Sequence, residues 1–273
     1  MANRFQDIEL EIKGKIGIIK FNRPRALNSF GGKLLVETIT AIRELNTNPD
    51  TIFTVLTGNG RFFSAGADVK AEAGNHQTYA NDAEKKLGFL ARFSSTIELL
   101  RSIIDHKKVF VLALNGPGVG GGAAWFQGVA DIVLAVEGAY LQVPFSALGL
   151  VPENGSAVSF AQSIGVHRAN DFLMFGRQLT VEEMEQWGMV NRIFKKEAFH
   201  DNVVKFLEDQ LEVNDGKSMM EMKRLQNLRL RDERIVAVYN AADALAERFV
   251  EDAPKQRFED KRKLLESKRK SKL

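Results

Sequence analysis

Apolar and polar positions alternate almost from the start of the chain. Ile8, Leu10 and Ile12 stand against Glu9, Glu11 and Lys13, a period of two that predicts a strand. After Gly14 the denser run Ile16–Phe21 predicts a second strand, giving a hairpin-like opening. From Lys33 to Leu45 the period changes. Leu34, Leu35, Ile39, Ile42 and Leu45 recur at helical spacing. Phe53–Gly58 is a short strand. Leu87, Leu90, Phe93, Ile97, Leu100 and Ile104 mark one side of a second helix over about 83–106. Val109–Leu114 and Asp131–Val136 predict two more strands, with glycine-rich sequence and a short helix between them. From about Glu182 the pattern is helical and charged, broken only near Gly188 and at Asp215-Gly216.

Strands alternating with helices imply right-handed crossovers and a largely parallel sheet, hence the α/β class. At 273 residues, 44% hydrophobic and 27% charged, the chain is ordinary for a globular protein and long enough to bury a sizeable core. The uncharged stretch Val109–Ala130 is broken by glycines and Pro117 and carries Asn115 and Gln127. It suits a strand, loop and helix better than a membrane span. The N-terminus MANRFQDIEL lacks the apolar core of a signal peptide. Neither stretch predicts a membrane partner. A net charge of +3 with a pI near 9.0 is a weak basic bias. The run Lys261–Lys270 is interrupted by Leu264, Leu265 and Glu266 and has no interleaved aromatics, so nucleic acid is not the expected partner. With no cysteine, disulfides, thiolate nucleophiles and thiolate metal sites are excluded. His76, His106, His167 and His200 show no metal-ligand spacing, and no metal is expected.

Two glycine-bearing loops each follow a predicted strand: Arg61–Asp68 and Asn115–Ala124. In a parallel sheet, ligands gather outside the carboxyl ends of the strands. Residues with almost no side chain let a ligand approach main-chain N–H groups. The second loop is expected to open a helix, where unpaired N–H groups favour negative charge. Together the loops can offer two N–H donors to one developing oxyanion, each worth roughly 2.7–4 kcal/mol. The phosphate-cradling pattern GxxxxGK[ST] is absent. A single acid, Glu153 in PENGSA, sits between the apolar run Phe145–Val151 and Val158. Locally it reads as a loop acid before a helix.

The chain resembles the crotonase, or enoyl-CoA hydratase/isomerase, superfamily. The resemblance is carried in order by NRPRALNSF (22–30), RFFSAGADVK (61–70), ALNGPGVGGGAA (113–124), DIVLA with VPFSALGLVPENG (131–155) and RFEDKRK (257–263). It implies a crotonase fold, a spiral of ββα units over residues 1–200 with a C-terminal helical region over 201–273, assembled as homotrimers or hexamers. It further implies an acyl-CoA substrate and no separate cofactor. Ala67 and Gly121 would supply the oxyanion-hole N–H groups. Arg25, Ala26 and Leu27 would lie along the CoA moiety, and Ser64, Ala65, Gly66, Asp68 and Val69 would complete the substrate-binding set.

The hydratases of the superfamily carry two glutamates, and their positions are Ala124 and Phe145 here. Neither residue can position or deprotonate a water. Glu153 instead resembles the single catalytic glutamate of the peroxisomal Δ3,Δ2-enoyl-CoA isomerases, in the same PF-x-x-LGL-x-x-E setting. One carboxylate can take a proton from C2 and return it at C4, in a pocket that excludes water. Burial would raise its pKa from an ordinary value near 4.3 towards that of a useful base. Ser94, Ser95 and Thr96 are candidates to steady it. A dienoyl-CoA isomerase is an alternative that would want further acids, and an RNA-binding crotonase-like protein is a non-enzymatic one. Ser271-Lys272-Leu273 reads as a C-terminal peroxisomal address, recognised by the import receptor, and predicts the peroxisomal matrix.

Overall fold

A computed structural model describes residues 4–68, 78–257 and 259. The opening hairpin joins β1 (Ile8–Lys13) to β2 (Ile16–Phe21), antiparallel, with Ile8 opposite Phe21 and Lys13 opposite Ile16. Gly14 makes the turn at φ +54°, a conformation that suits glycine because it has no Cβ to clash. The chain crosses over through α1 (Leu34–Thr47) to β3 (Phe53–Gly58), and through α2 (Asp82–Ile104) to β4 (Val109–Leu114). Both crossovers place the new strand parallel to the last one. Every residue of β3 and β4 is buried. Helices cover both faces of such central parallel strands, so their sequences run apolar without alternation.

After β4 come β5 (Gly118–Val119), the four-residue α3 (Gly121–Ala124) and β6 (Ile132–Val136), which returns to pair parallel with β4. Then follow β7 (Tyr140–Gln142), α4 (Ser156–Ile164), α5 (Val166–Phe175), β8 (Gln178–Thr180), α6 (Val181–Gln186), β9 (Arg192–Phe194), α7 (Phe199–Val213) and the 35-residue α8 (Gly216–Val250). The large sheet runs β1-β2-β3-β4-β6-β9 and the small one β5-β7-β8. This is the mixed α/β architecture with a parallel sheet that the alternation predicts.

Two details differ from the sequence expectation. The region beyond Glu182 is not purely helical, because β9 adds to the large sheet beside β6. Three residues are too few for a period of two to register. The predicted stripe on α2 also divides between two neighbours. Leu99, Leu100, Ile103 and Ile104 enter the core, whereas Leu87 is exposed. The first half of α2 lies against α8 instead. There Phe89 stacks on Phe249 at 4.4 Å, and Lys86 pairs with Asp243 and Glu247.

The other end of α8 is fixed by Lys223, buried among the strand ends. Its ammonium lies 2.7 Å from Asp131 and donates to the Lys108 carbonyl at 2.8 Å. A buried charge is tolerated only when paired in this way. Among the described residues, no helix is long and apolar enough to cross a membrane.

Candidate active site

The two glycine-bearing loops leave the carboxyl ends of adjacent strands and are laced together through their backbones. Phe63 N–H donates to Pro117 O, and Val119 N–H donates to Ser64 O. The first loop is tied in turn to residues 27–30: Ala65 N–H donates to Leu27 O and Phe30 N–H to Gly66 O. Side chains finish the lacing. Asn28 Nδ2 donates to the carbonyls of Asn59 and Phe62, and Asn115 Oδ1 accepts from Gly58 N–H. Asn28 stands inside the motif that carries the family resemblance, but its structural role was not legible there.

Gly66 is where the loops come closest. Its φ is +82°, and a Cβ there would stand 2.6 Å from Val119 O and 3.3 Å from Gly121 N. Only glycine meets both demands. Among the described residues, neither the Ala67 nor the Gly121 N–H donates to another main-chain carbonyl. The helix after the second loop has only four residues. A helix of a single turn adds little dipole at the end of this loop.

Glu153 reaches this place from the turn before α4. Asn154 and Gly155 take left-handed φ values of +51° and +76°, which bends the chain sharply after the glutamate. A Cβ on Gly155 would stand 3.1 Å from Val238 N, so the turn rests on the backbone of α8. Glu153 is half-buried, and its Oε2 accepts a hydrogen bond of 2.9 Å from the Trp125 indole Nε1. Ala124 and Phe145, at the positions of the hydratase acids, are 1% and 2% exposed.

Trp125, which stands outside the residues expected from the sequence, donates to the Glu153 carboxylate. Ser94 and Thr96 turn their hydroxyls back onto their own helix, to Ala91 O and Phe93 O. Trp125 follows Gly121 by one helical turn, a spacing that brings its ring back beside that glycine. That spacing was the available signal.

The remaining predicted residues divide by role. Ser64 is fully buried, and its hydroxyl donates to Asn28 O while accepting from Gly66 N–H. It shapes the loop from beneath. Asp68 accepts from Arg23 Nη2 at 3.1 Å and braces the first loop against residues 22–30. Arg25 is exposed, and Ala26 and Leu27 are half-buried beside it in a short turn. They form a rim in sequence next to Asn28. Val69 lies outside the described residues, as do Ser271, Lys272 and Leu273.

The geometry therefore brings two backbone-laced loops and a hydrogen-bonded carboxylate together around the Trp125 indole. The family model for enoyl-CoA hydratase/isomerase matches residues 11–267. The chain is 31% identical over 265 residues to a Δ(3,5)-Δ(2,4)-dienoyl-CoA isomerase of Pyricularia oryzae, covering 91% of this chain and 94% of that one. It is 30% identical over 231 residues to the 3,2-trans-enoyl-CoA isomerase of Saccharomyces cerevisiae, covering 81% of each. In fold it is similar to the crystal structure of an enoyl-CoA hydratase/isomerase from Pseudoalteromonas atlantica, with a TM-score of 0.79 at 24% identity, over 93% of this chain and 98% of that one. On this match across almost its whole length, the chain belongs to the enoyl-CoA hydratase/isomerase family.

Proposed function

We propose that the protein is a Δ3,Δ2-enoyl-CoA isomerase of the peroxisomal matrix, acting on unsaturated acyl-CoA in β-oxidation. The observation that carries this reading is the single held carboxylate, Glu153, with Ala124 and Phe145 buried where a hydratase keeps its acids. The thioester oxygen accepts from the N–H groups of Ala67 and Gly121. Glu153 removes a proton from C2, and the electron pair moves into a dienolate whose charge rests on that oxygen. The protonated Glu153 then delivers the proton to C4. The C3–C4 double bond is lost, a C2–C3 double bond forms, and no water is consumed. Isomerase relatives at about 30% identity support the reaction class.

The tripeptide Ser271-Lys272-Leu273 supports the compartment, read as a C-terminal import signal. Self-association as a trimer or hexamer is part of the same proposal. Exposed Met222, Leu225 and Leu228 along α8 are suited to a partner subunit.

A dienoyl-CoA isomerase is the second reading, favoured by the Pyricularia relative. The two are separated by giving one preparation 3-hexenoyl-CoA and a 3,5-dienoyl-CoA under matched conditions. The proposal expects the higher kcat/KM on the 3-enoyl substrate. Preference for the dienoyl substrate, with slow turnover of 3-hexenoyl-CoA, would favour the second reading.

A further inference from the structure

Trp125 touches three parts of the candidate site at once. Its indole N–H donates to Glu153 Oε2 across 28 positions of sequence at 2.9 Å. An indole nitrogen can only donate, and an ionised carboxylate can only accept, so the bond favours one protonation state and one orientation of Glu153. The six-membered ring lies directly against Gly121. A Cβ on that glycine would stand 2.6 Å from Trp125 Cε2 and 2.7 Å from Cζ2. The indole therefore fills the space that a side chain on Gly121 would occupy. Its face stacks on Phe30 at 4.3 Å, with the planes 13° apart. Phe30 N–H donates to Gly66 O, and Phe30 bridges to Ala67.

The base, the glycine of the second loop and the strand segment holding the first loop thus share one rigid side chain. Trp125 is only 7% exposed, and aromatic neighbours surround it. Phe126 lies 6.2 Å from both Trp125 and Phe30, ring centre to ring centre. A side chain packed in this way has few rotamers open to it.

We infer that Trp125 is a positioning residue that sets the Glu153 carboxylate at a fixed distance from the Ala67 and Gly121 N–H groups. The inference rests on the reading of Glu153 as the proton shuttle. It assigns the two parts of the indole different jobs. The N–H orients the base. The ring keeps the two oxyanion loops in register through Gly121 and Phe30.

The two jobs can be separated by substitution. Trp125→Phe keeps an aromatic ring for the stack and removes the donor. Its kcat should fall roughly tenfold to a hundredfold, the scale of a misplaced reacting group. Its affinity for a saturated acyl-CoA should stay within about threefold, an order-of-magnitude allowance for a donor that only orients the base. The acidic limb of kcat should move to higher pH, because a donor favouring the charged carboxylate has gone. Trp125→Leu removes the ring as well and should also weaken acyl-CoA binding.

The test measures kcat against pH, and acyl-CoA affinity, for wild type, Trp125→Phe, Trp125→Leu and Glu153→Gln. It is joined by a measurement that needs no Trp125 variant. The chain has two tryptophans, so indole-labelled protein gives two N–H signals, with Trp187 as the internal reference. The Trp125 signal should shift in Glu153→Gln while that of Trp187 stays. If Glu153→Gln is inactive but Trp125→Phe matches wild type with an unmoved acidic limb, the inference is overturned and the Glu153 reading stands. An indole signal indifferent to Glu153→Gln overturns it equally. If Glu153→Gln itself turns over normally, the reading of Glu153 fails and the inference falls with it.

Discussion

Glu153 is placed by contacts that a local reading does not supply. In sequence it is an acid before a helix. In the fold it stands half-buried on the Trp125 indole, its turn resting on α8. The family pattern pointed to the glutamate because PF-x-x-LGL-x-x-E is a contiguous string, and the glycine loops were legible for the same reason. Trp125 was not, since its bond to residue 153 leaves no periodic trace. Glu153→Gln keeps the shape and can still accept from the indole, so melting temperature and acyl-CoA affinity should stay near wild type. Turnover should drop by roughly 10²–10⁴-fold, the usual worth of general acid–base catalysis. Glu153→Asp should also be slow, because the shorter arm cannot serve C2 and C4 together. A helix-end acid alone would change stability by about 0.3–1 kcal/mol and leave turnover nearly intact. Melting, binding and kcat measured on one purified variant distinguish the two.

The strands that carry the loops were readable wherever both faces are buried, as in β3 and β4. Strands of three residues, β7, β8 and β9, were not, because pairing with neighbouring strands fixes them more than their own pattern does. The end of α2 shows a different kind of hidden information. His106, just past that helix, is 2% exposed and bonds through Nε2 to Thr54 Oγ1 on β3 at 2.8 Å. Burial, with smaller contributions from Lys223 and Lys108, lowers its pKa to about 3. The folded state therefore holds His106 neutral, while the unfolded chain takes up a proton below about pH 6.5. Between these limits the unfolded state binds more protons, so stability is complete above pH 6.5 and is lost as pH falls towards 3. His106 should contribute a slope of about 1.4 kcal/mol per pH unit in that window. Urea midpoints at pH 7 and pH 5 should converge in His106→Gln relative to wild type. Equal pH dependence in the two proteins would show that His106 titrates as it does in the unfolded chain.

The assembled molecule brings together segments far apart in sequence: residues 22–30, 61–68, 115–125 and 153–155 meet at the strand ends, and α8 backs the last of them. Each segment is a readable string, yet their meeting depends on the parallel order β2-β3-β4-β6, which no single string specifies. The tripeptide Ser271-Lys272-Leu273, proposed as an import signal, is far in sequence from all of them. Removing Ser271–Leu273 should leave turnover unchanged and abolish peroxisomal import, scored by fluorescence microscopy in cells lacking the full-length chain. Import of the truncated protein in such cells would assign the signal elsewhere.

The central claim is that a site with a thioester oxyanion hole and one carboxylate moves a double bond and does not add water. It is tested most directly by giving the purified wild-type protein 3-hexenoyl-CoA and crotonyl-CoA side by side and identifying the products. The expected outcome is rapid formation of 2-hexenoyl-CoA from the first, with little or no 3-hydroxybutyryl-CoA from the second. Robust formation of the 3-hydroxyacyl-CoA would contradict the account, because Ala124 and Phe145 put no acid at the two positions where the resemblance sets the hydratase glutamates.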